Sequence, residues 1–337
     1  MYINILKKVI ILQEDLFQSI CHDDFSLVNY QGIKDNQKGL HDEHYVNRLR
    51  LSYYLLLEHK DTEMIVKRLF EEELKDRETN SFQGIGTCLE ILTYLLMKYN
   101  QGQYDELFQR AKQANFDCCC GYDPHINIAS EYEEYDFIDC LYICVELDYL
   151  IEARKLVDSW KESVEHWDQS AYENLVRFHQ YTKQEILNEE PLKQLLDISK
   201  KIKIDQKDIS LSKKQNHSIQ VITSWLHLLD YYIQFESYEK AYHCFQDMIS
   251  EVDFTPIQHI RLFDSILEDC LELMIHDEKR REELWKWVKP FLQKKDQNMY
   301  GNLYEKSIIV AQMMNDEYMN EINQKYIAWQ KKMQIWK

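Results

Sequence analysis

Residues 221–252 read VITSWLHLLDYYIQFESYEKAYHCFQDMISEV. Val221, Trp225, Leu228, Leu229 and Tyr232 recur at the three- and four-residue steps of a helix. After a polar break at Glu236–Ser237, the residues Tyr238, Ala241, Phe245, Met248 and Val252 do so again. Two amphipathic helices of about four turns, joined by so short a turn, fold back on each other to hide their apolar stripes. One such hairpin leaves an outer face uncovered, so the pattern predicts further hairpins stacked against it.

Composition points the same way. Seven glycines and four prolines in 337 residues are too few turn formers for a many-stranded β protein, and an all-α chain is expected. The length allows one elongated domain or two compact ones. With 58 acidic against 40 basic residues the formal charge is −18, which opposes non-specific nucleic-acid binding and favours basic partners. The opening MYINILKKVIILQEDLF has only four consecutive apolar residues after Lys7–Lys8, too few for a secretory signal. No run approaches the roughly 18 apolar residues of a membrane span. Nine cysteines, three of them adjacent, do not look like a disulfide framework, so a reducing cytoplasm is expected.

Upstream of the central stretch, residues 1–20 read as one helix through Ile5, Val9, Leu12 and Leu16 or Phe17. A loop follows to Leu40, then helical spacing over His44–Leu57 (Leu49, Tyr53, Leu56, Leu57). Ile65, Leu69 and Phe70 carry a second stripe opposite Glu71–Glu73, read as solvated. Gly84-Ile85-Gly86 lacks the third glycine and the preceding strand of a phosphate loop; Thr87 with Glu90 instead reads as a capping box opening a helix. Ser130 with Glu133 reads as another, placing Glu131, Glu133 and Glu134 in a helical first turn, where acids are stabilised by about 0.3–1 kcal/mol each. Trp160 and Trp167, seven apart, are expected on one helical face. Tyr172–Ile186 and Leu192–Ile202 form a further pair around Pro191. Residues 200–216, six lysines against two aspartates, read as a linker. Downstream, Thr255-Pro256-Ile257-Gln258 reads as a helix start continued by Ile260, Phe263, Leu267, Cys270 and Met274. Asp277 is expected to cap the next helix, with Leu284, Val288 and Phe291 inward. Met319, Ile322, Tyr326, Trp329, Met333 and Trp336 mark a terminal capping helix.

Trp225-x2-Leu228-Leu229-x2-Tyr232, then Tyr238, then Ala241-x3-Phe245 with Pro256 beyond, resembles a tetratricopeptide (TPR) hairpin, and Gly102-Gln103-Tyr104-Asp105-Glu106 looks like the turn of another. Phe137–Val157, with Asp148 at its turn and Ala153 and Val157 on its second helix, is a weaker copy. Leu229 and Glu236 stand where the family has a small residue and a turn glycine. The intervals between turns, 46 and 88 residues, depart from the family period of about 34. The resemblance implies a right-handed α-solenoid of antiparallel helix pairs: residues 1–203 and 217–337 as two stacks around a polar linker at 204–216, or one continuous solenoid. It also implies a protein or peptide partner.

Chemistry-bearing clusters are few. Cys118-Cys119-Cys120 with His125 has zinc-ligand chemistry, and a zinc or thiol enzyme centred on Cys118, Cys120 and His125 is the competing reading. Three adjacent cysteines, however, cannot easily face one ion. Cys140 and Cys144, one turn apart, fit as small core residues. His41-Asp42-Glu43-His44 lacks the metalloprotease spacing and reads as a solvated cap. No catalytic residue, metal or cofactor is expected. Binding is assigned instead to Tyr53, Tyr54, Tyr231 and Tyr242, from a chain with 23 tyrosines, and to Glu131, Glu133 and Glu134 as a landing site for a basic partner. The expected function is a non-enzymatic binding protein, an inhibitor or immunity protein or else a peptide-sensing regulator.

Overall fold

A computed structural model describes residues 2–35, 39–79, 84–201, 211–295 and 299–334, with backbone only at 211–216, 256 and 334. Apart from turns and loops, the described residues are helical save for one antiparallel pair of short strands, and the chain divides into two compact units, Met1–Glu165 with Tyr181–Lys183, and His166–Gln180 with Gln184–Lys337. Residues 204–210 of the expected linker, and Ile202 and Trp336, lie outside the described residues; from Leu211 the chain is helical.

The first unit contains α1 (Tyr2–Ile11), α2 (Glu14–Cys21), β1 (Gly32–Asp35), β2 (Gly39–Asp42), α3 (Tyr45–Leu57), α4 (Glu63–Arg77), α5 (Thr87–Met97), α6 (Asp105–Gln113), α7 (Phe116–Gly121), α8 (Phe137–Glu146) and α9 (Leu150–Ser163). The antiparallel β1–β2 pair, with Ile33 opposite His41, occupies part of the stretch read as a loop. α3 is central: α1, α2, α4 and α5 pack on it, and every residue from Arg48 to Leu57 except Arg50 is buried. Arg50 instead donates to the Leu147 carbonyl at 3.0 and 2.8 Å, satisfying an orphan acceptor at the end of α8.

Several local expectations are corrected. The first helix breaks at Leu12–Gln13, leaving Leu12 62% exposed, because Gln13 turns inward to donate to the Val9 carbonyl and the Tyr149 hydroxyl. Thr87 opens α5 but caps nothing; its hydroxyl donates to Glu146 at 2.6 Å. The hairpin expected around Gly102 is loose: α5 packs on α4 and α3, and α6 on α4 and α7. The α8–α9 hairpin is close, with Ala153 and Val157 buried. α9 ends at Ser163, so Trp167 does not continue the Trp160 face. Glu72 and Glu73 are buried, not solvated.

The second unit contains α10 (Gln169–Tyr181), α11 (Glu189–Lys201), α12 (Leu211–Gln234), α13 (Tyr238–Glu251), α14 (Arg261–His276), α15 (Arg281–Lys294), α16 (Gly301–Met313) and α17 (Tyr318–Gln334). α12 packs on α11, α13 and α14; α14 packs on α13, α15 and α16; α16 packs on α17. Such neighbour-on-neighbour packing is compatible with a helical repeat. Trp225, Leu228, Leu229, Tyr232, Ala241, Phe245 and Met248 are all buried in its core, where the 221–252 pattern puts them. The helix expected at Thr255 is only a 3-10 turn, Thr255–Ile257, whose first amide donates to Asp253; α14 begins later, and Ile260 is 41% exposed. Asp277 accepts from Arg280 at 2.6 Å rather than capping a backbone amide. α16 has no counterpart in the sequence reading. In α17, Ile322 is buried while Met333 is exposed.

Candidate functional site

The acidic segment at 130–139 is built on two inward tyrosines. Tyr132 and Tyr135, three apart across a 3-10 turn (Tyr132–Glu134), are both buried. The Tyr132 hydroxyl donates to Glu58 at 2.6 Å, and that of Tyr135 to the Ala129 carbonyl at 2.5 Å. The residues between and beside them face out. The Glu131 and Glu133 side chains are 60% and 73% exposed; Glu131 lies 3.3 Å from the His59 ring and Glu133 3.6 Å from the Lys7 ammonium.

Other acids here serve the backbone. Glu134 accepts the amides of Ser130 and Glu131 at 2.8 and 2.9 Å, so the capping box expected from Ser130 and Glu133 is shifted by one residue and closes a 3-10 turn. Asp136 and Asp139 cap α8 reciprocally, each accepting the other's amide, at 3.0 and 2.9 Å. Glu131 and Glu134 thus share the capping box of this turn, Glu131 with most of its side chain exposed, and Glu133 is the acid with no backbone role.

The surrounding charge is lopsided. The first unit holds 31 acidic against 18 basic residues, and the second 27 against 22. From Gln113 to Ala153 there is no lysine or arginine, while ten acids occur. That gap was a readable signal, stronger than the net charge alone.

Of the tyrosines expected to bind a partner, three are buried and one is half-buried. Tyr53 and Tyr54 are buried, the latter hydrogen-bonded to Glu14. Tyr231 is buried and donates to the Ile186 carbonyl at 2.7 Å. Tyr242 is half-buried, donating to Glu283 at 2.8 Å with the Arg280 guanidinium 4.2 Å from its ring centre. Cys118 is buried with its thiol toward the Gly84 carbonyl, whereas Cys119, Cys120 and His125 are exposed. Among the described residues no three His, Cys, Asp or Glu side chains are grouped to hold a metal ion. All nine cysteines are free thiols, and burial pushes Cys140 and Cys144 up to about 12.

Two arrangements escaped the sequence reading. The first is a buried ion network: Arg48, fully buried, meets Asp42 at 2.5 Å and Glu73 at 3.0 Å, and Arg77 meets Glu73 at 3.1 Å and Asp76. Asp42 also accepts the amides of Gln31 and His44, so the segment read as a solvated cap is anchored inside. The second is a trench of about 400 Å³ in the second unit between α11 and α13, lined at its base by Trp225, Leu228 and Tyr232 of α12. Ion pairs bridge the two helices, Glu189 to Lys240 at 2.8 Å and Lys200 to Glu251 at 2.7 Å. Lys193, and then Lys240, hold the Glu189 carboxyl down at about 2.

Among the described residues no helix is long and apolar enough to cross a membrane. Comparison of the chain with protein-family models, curated proteins and solved structures finds no match.

Proposed function

We propose that the chain is a non-enzymatic, TPR-like helical-repeat protein of the cytoplasm that binds a basic protein or peptide, acting as an inhibitor or immunity protein. The observation that carries this reading is the outward pair Glu131 and Glu133, held on a rigid tyrosine-anchored turn within 41 residues that contain no lysine or arginine. An excess of one sign steers an oppositely charged partner. The helix-on-helix packing and the TPR resemblance of 221–252 support a solenoid that offers its surface to a macromolecule rather than to a reaction.

The experiment is capture from the native cell on immobilised full-length chain, repeated across a salt series. A partner of high isoelectric point, retained at low salt and released steeply as salt rises, is the expected result. Recovery of only neutral or acidic partners, or of none, overturns it. A second reading, a peptide-sensing regulator, is favoured by the trench over Trp225, Leu228 and Tyr232; retention of a short uncharged peptide with little salt dependence would select it.

A further inference from the structure

The second unit contains a cavity of opposite electrostatic character, and we infer that it is a binding site for a small oxyanion carried on a flat apolar body. It has a volume of about 670 Å³ and lies where the start of α14 meets the end of α15. That size falls in the range of small-molecule sites, which pair apolar walls with a few placed polar groups. Phe263, Phe291 and Tyr300 supply the wall, with the Phe263 and Phe291 rings edge to face at 5.0 Å.

The charges are what select the ligand. Asp264 and Lys295 line the cavity and neutralise each other as an ion pair. Arg261 and Lys294 remain, both exposed on its rim and neither with a carboxylate partner among the described residues. Two cations without a carboxylate partner among the described residues, at one aromatic cavity, run against the chain's charge of −18. The Arg261 guanidinium sits 5.4 Å from the centre of the Tyr300 ring, and the Tyr300 hydroxyl is fixed by Glu268. Arg261 is thereby held at the rim with its planar fork able to meet an oxyanion through two parallel hydrogen bonds. No side chain caps the first turn of α14, and its one acid, Asp264, is the carboxylate already paired with Lys295. An anion without an apolar part leaves the aromatic wall wet, and a neutral aromatic leaves the two cations unmet; the combination uses both.

This inference is independent of the acidic-surface reading. The test is calorimetric titration of the full chain with phenylpropionate, with phenylpropanol as its neutral counterpart, and with inorganic phosphate. Phenylpropionate is expected to bind saturably, and each comparison ligand at least about tenfold more weakly. Arg261→Gln and Lys294→Gln are each expected to weaken phenylpropionate about tenfold, the order of a lost charge-assisted hydrogen bond. Both positions are exposed, so an unchanged thermal midpoint checks that the variants are folded. Absence of saturable binding, equal binding of phenylpropanol or of phosphate, or affinity untouched in both variants would overturn the assignment.

Discussion

At the scale of single residues, Arg48 decides most. It is buried without exposure and faces Asp42 and Glu73, so its removal leaves Asp42 without a counter-charge in the interior and Glu73 with Arg77 alone. Breaking a buried pair by deleting one partner costs about 3–5 kcal/mol. Arg48→Met should therefore lower unfolding free energy by that amount in urea titration; a loss under about 1 kcal/mol would mean that the network does not hold the unit together. Glu189 gives the complementary pH test. Its carboxyl is held at about 2, below the ordinary 4.5, by Lys193 and Lys240. A depressed folded value means stabilisation that is present above pH 4.5 and is lost as pH falls toward about 2. Wild type should melt above Glu189→Gln at neutral pH, and the gap should close over that window. A gap that persists at the acid end would contradict the ion-pair assignment. Neither position was legible beforehand: Arg48 lies among leucines and Glu73 in a run of three acids, and only tertiary packing shows that they face each other.

At the scale of elements, the helix ends explain how a chain with so few glycines turns so often. Asp23, His59, Asp148, Lys183, Glu236 and Asn315 all take positive φ, between 49° and 66°, where glycine is usual. At Glu236 the Ser237 amide donates to the Tyr232 carbonyl at 2.8 Å and the Glu236 amide to Ile233 at 3.0 Å, the paired bonds of a Schellman motif. Asp148 and Asn315 repeat both bonds. Left-handed geometry costs an L-residue roughly 1–2 kcal/mol, part of which glycine forfeits in unfolded-state entropy. Glu236→Gly should consequently stabilise by about 0.5–1 kcal/mol, with Asn315→Gly gaining least because asparagine tolerates the conformation. Denaturation midpoints that fall in Glu236→Gly would show that the side chain, not the turn, sets stability there. The same feature accounts for what sequence reading achieved. Turns at Asp148 and Glu236 were visible from the break in periodicity. α16 was not, because Ser307 interrupts its buried face of Leu303, Tyr304, Val310 and Ala311 while Ile309 lies exposed.

At the scale of the whole chain, composition and period were enough for the helical class, and seven of the ten stripe residues of 221–252 are buried in the core of the second unit, with Val221, Tyr238 and Val252 packed half-buried against it. Function was less legible. The 23 tyrosines drew attention to Tyr53 and Tyr54, yet both are interior residues, and the Tyr54 hydroxyl is already taken by Glu14. The acids at 131, 133 and 134 looked alike in sequence, and only backbone geometry separates the reciprocal caps Glu131 and Glu134 from Glu133. Charge is likewise unevenly shared between the units, the first carrying 31 acidic against 18 basic residues. The central claim is that this acidity selects the partner, and it is tested most directly by one titration. The captured basic partner is measured by calorimetry against wild type and against a Glu131→Gln, Glu133→Gln double variant, in which the glutamine oxygen at 131 can still accept the Glu134 amide and the caps at Glu134, Asp136 and Asp139 stay in place. The account predicts affinity reduced at least about tenfold in the variant at low salt, the two curves converging as salt screens the charges. Equal affinity for both proteins at every salt concentration would contradict it.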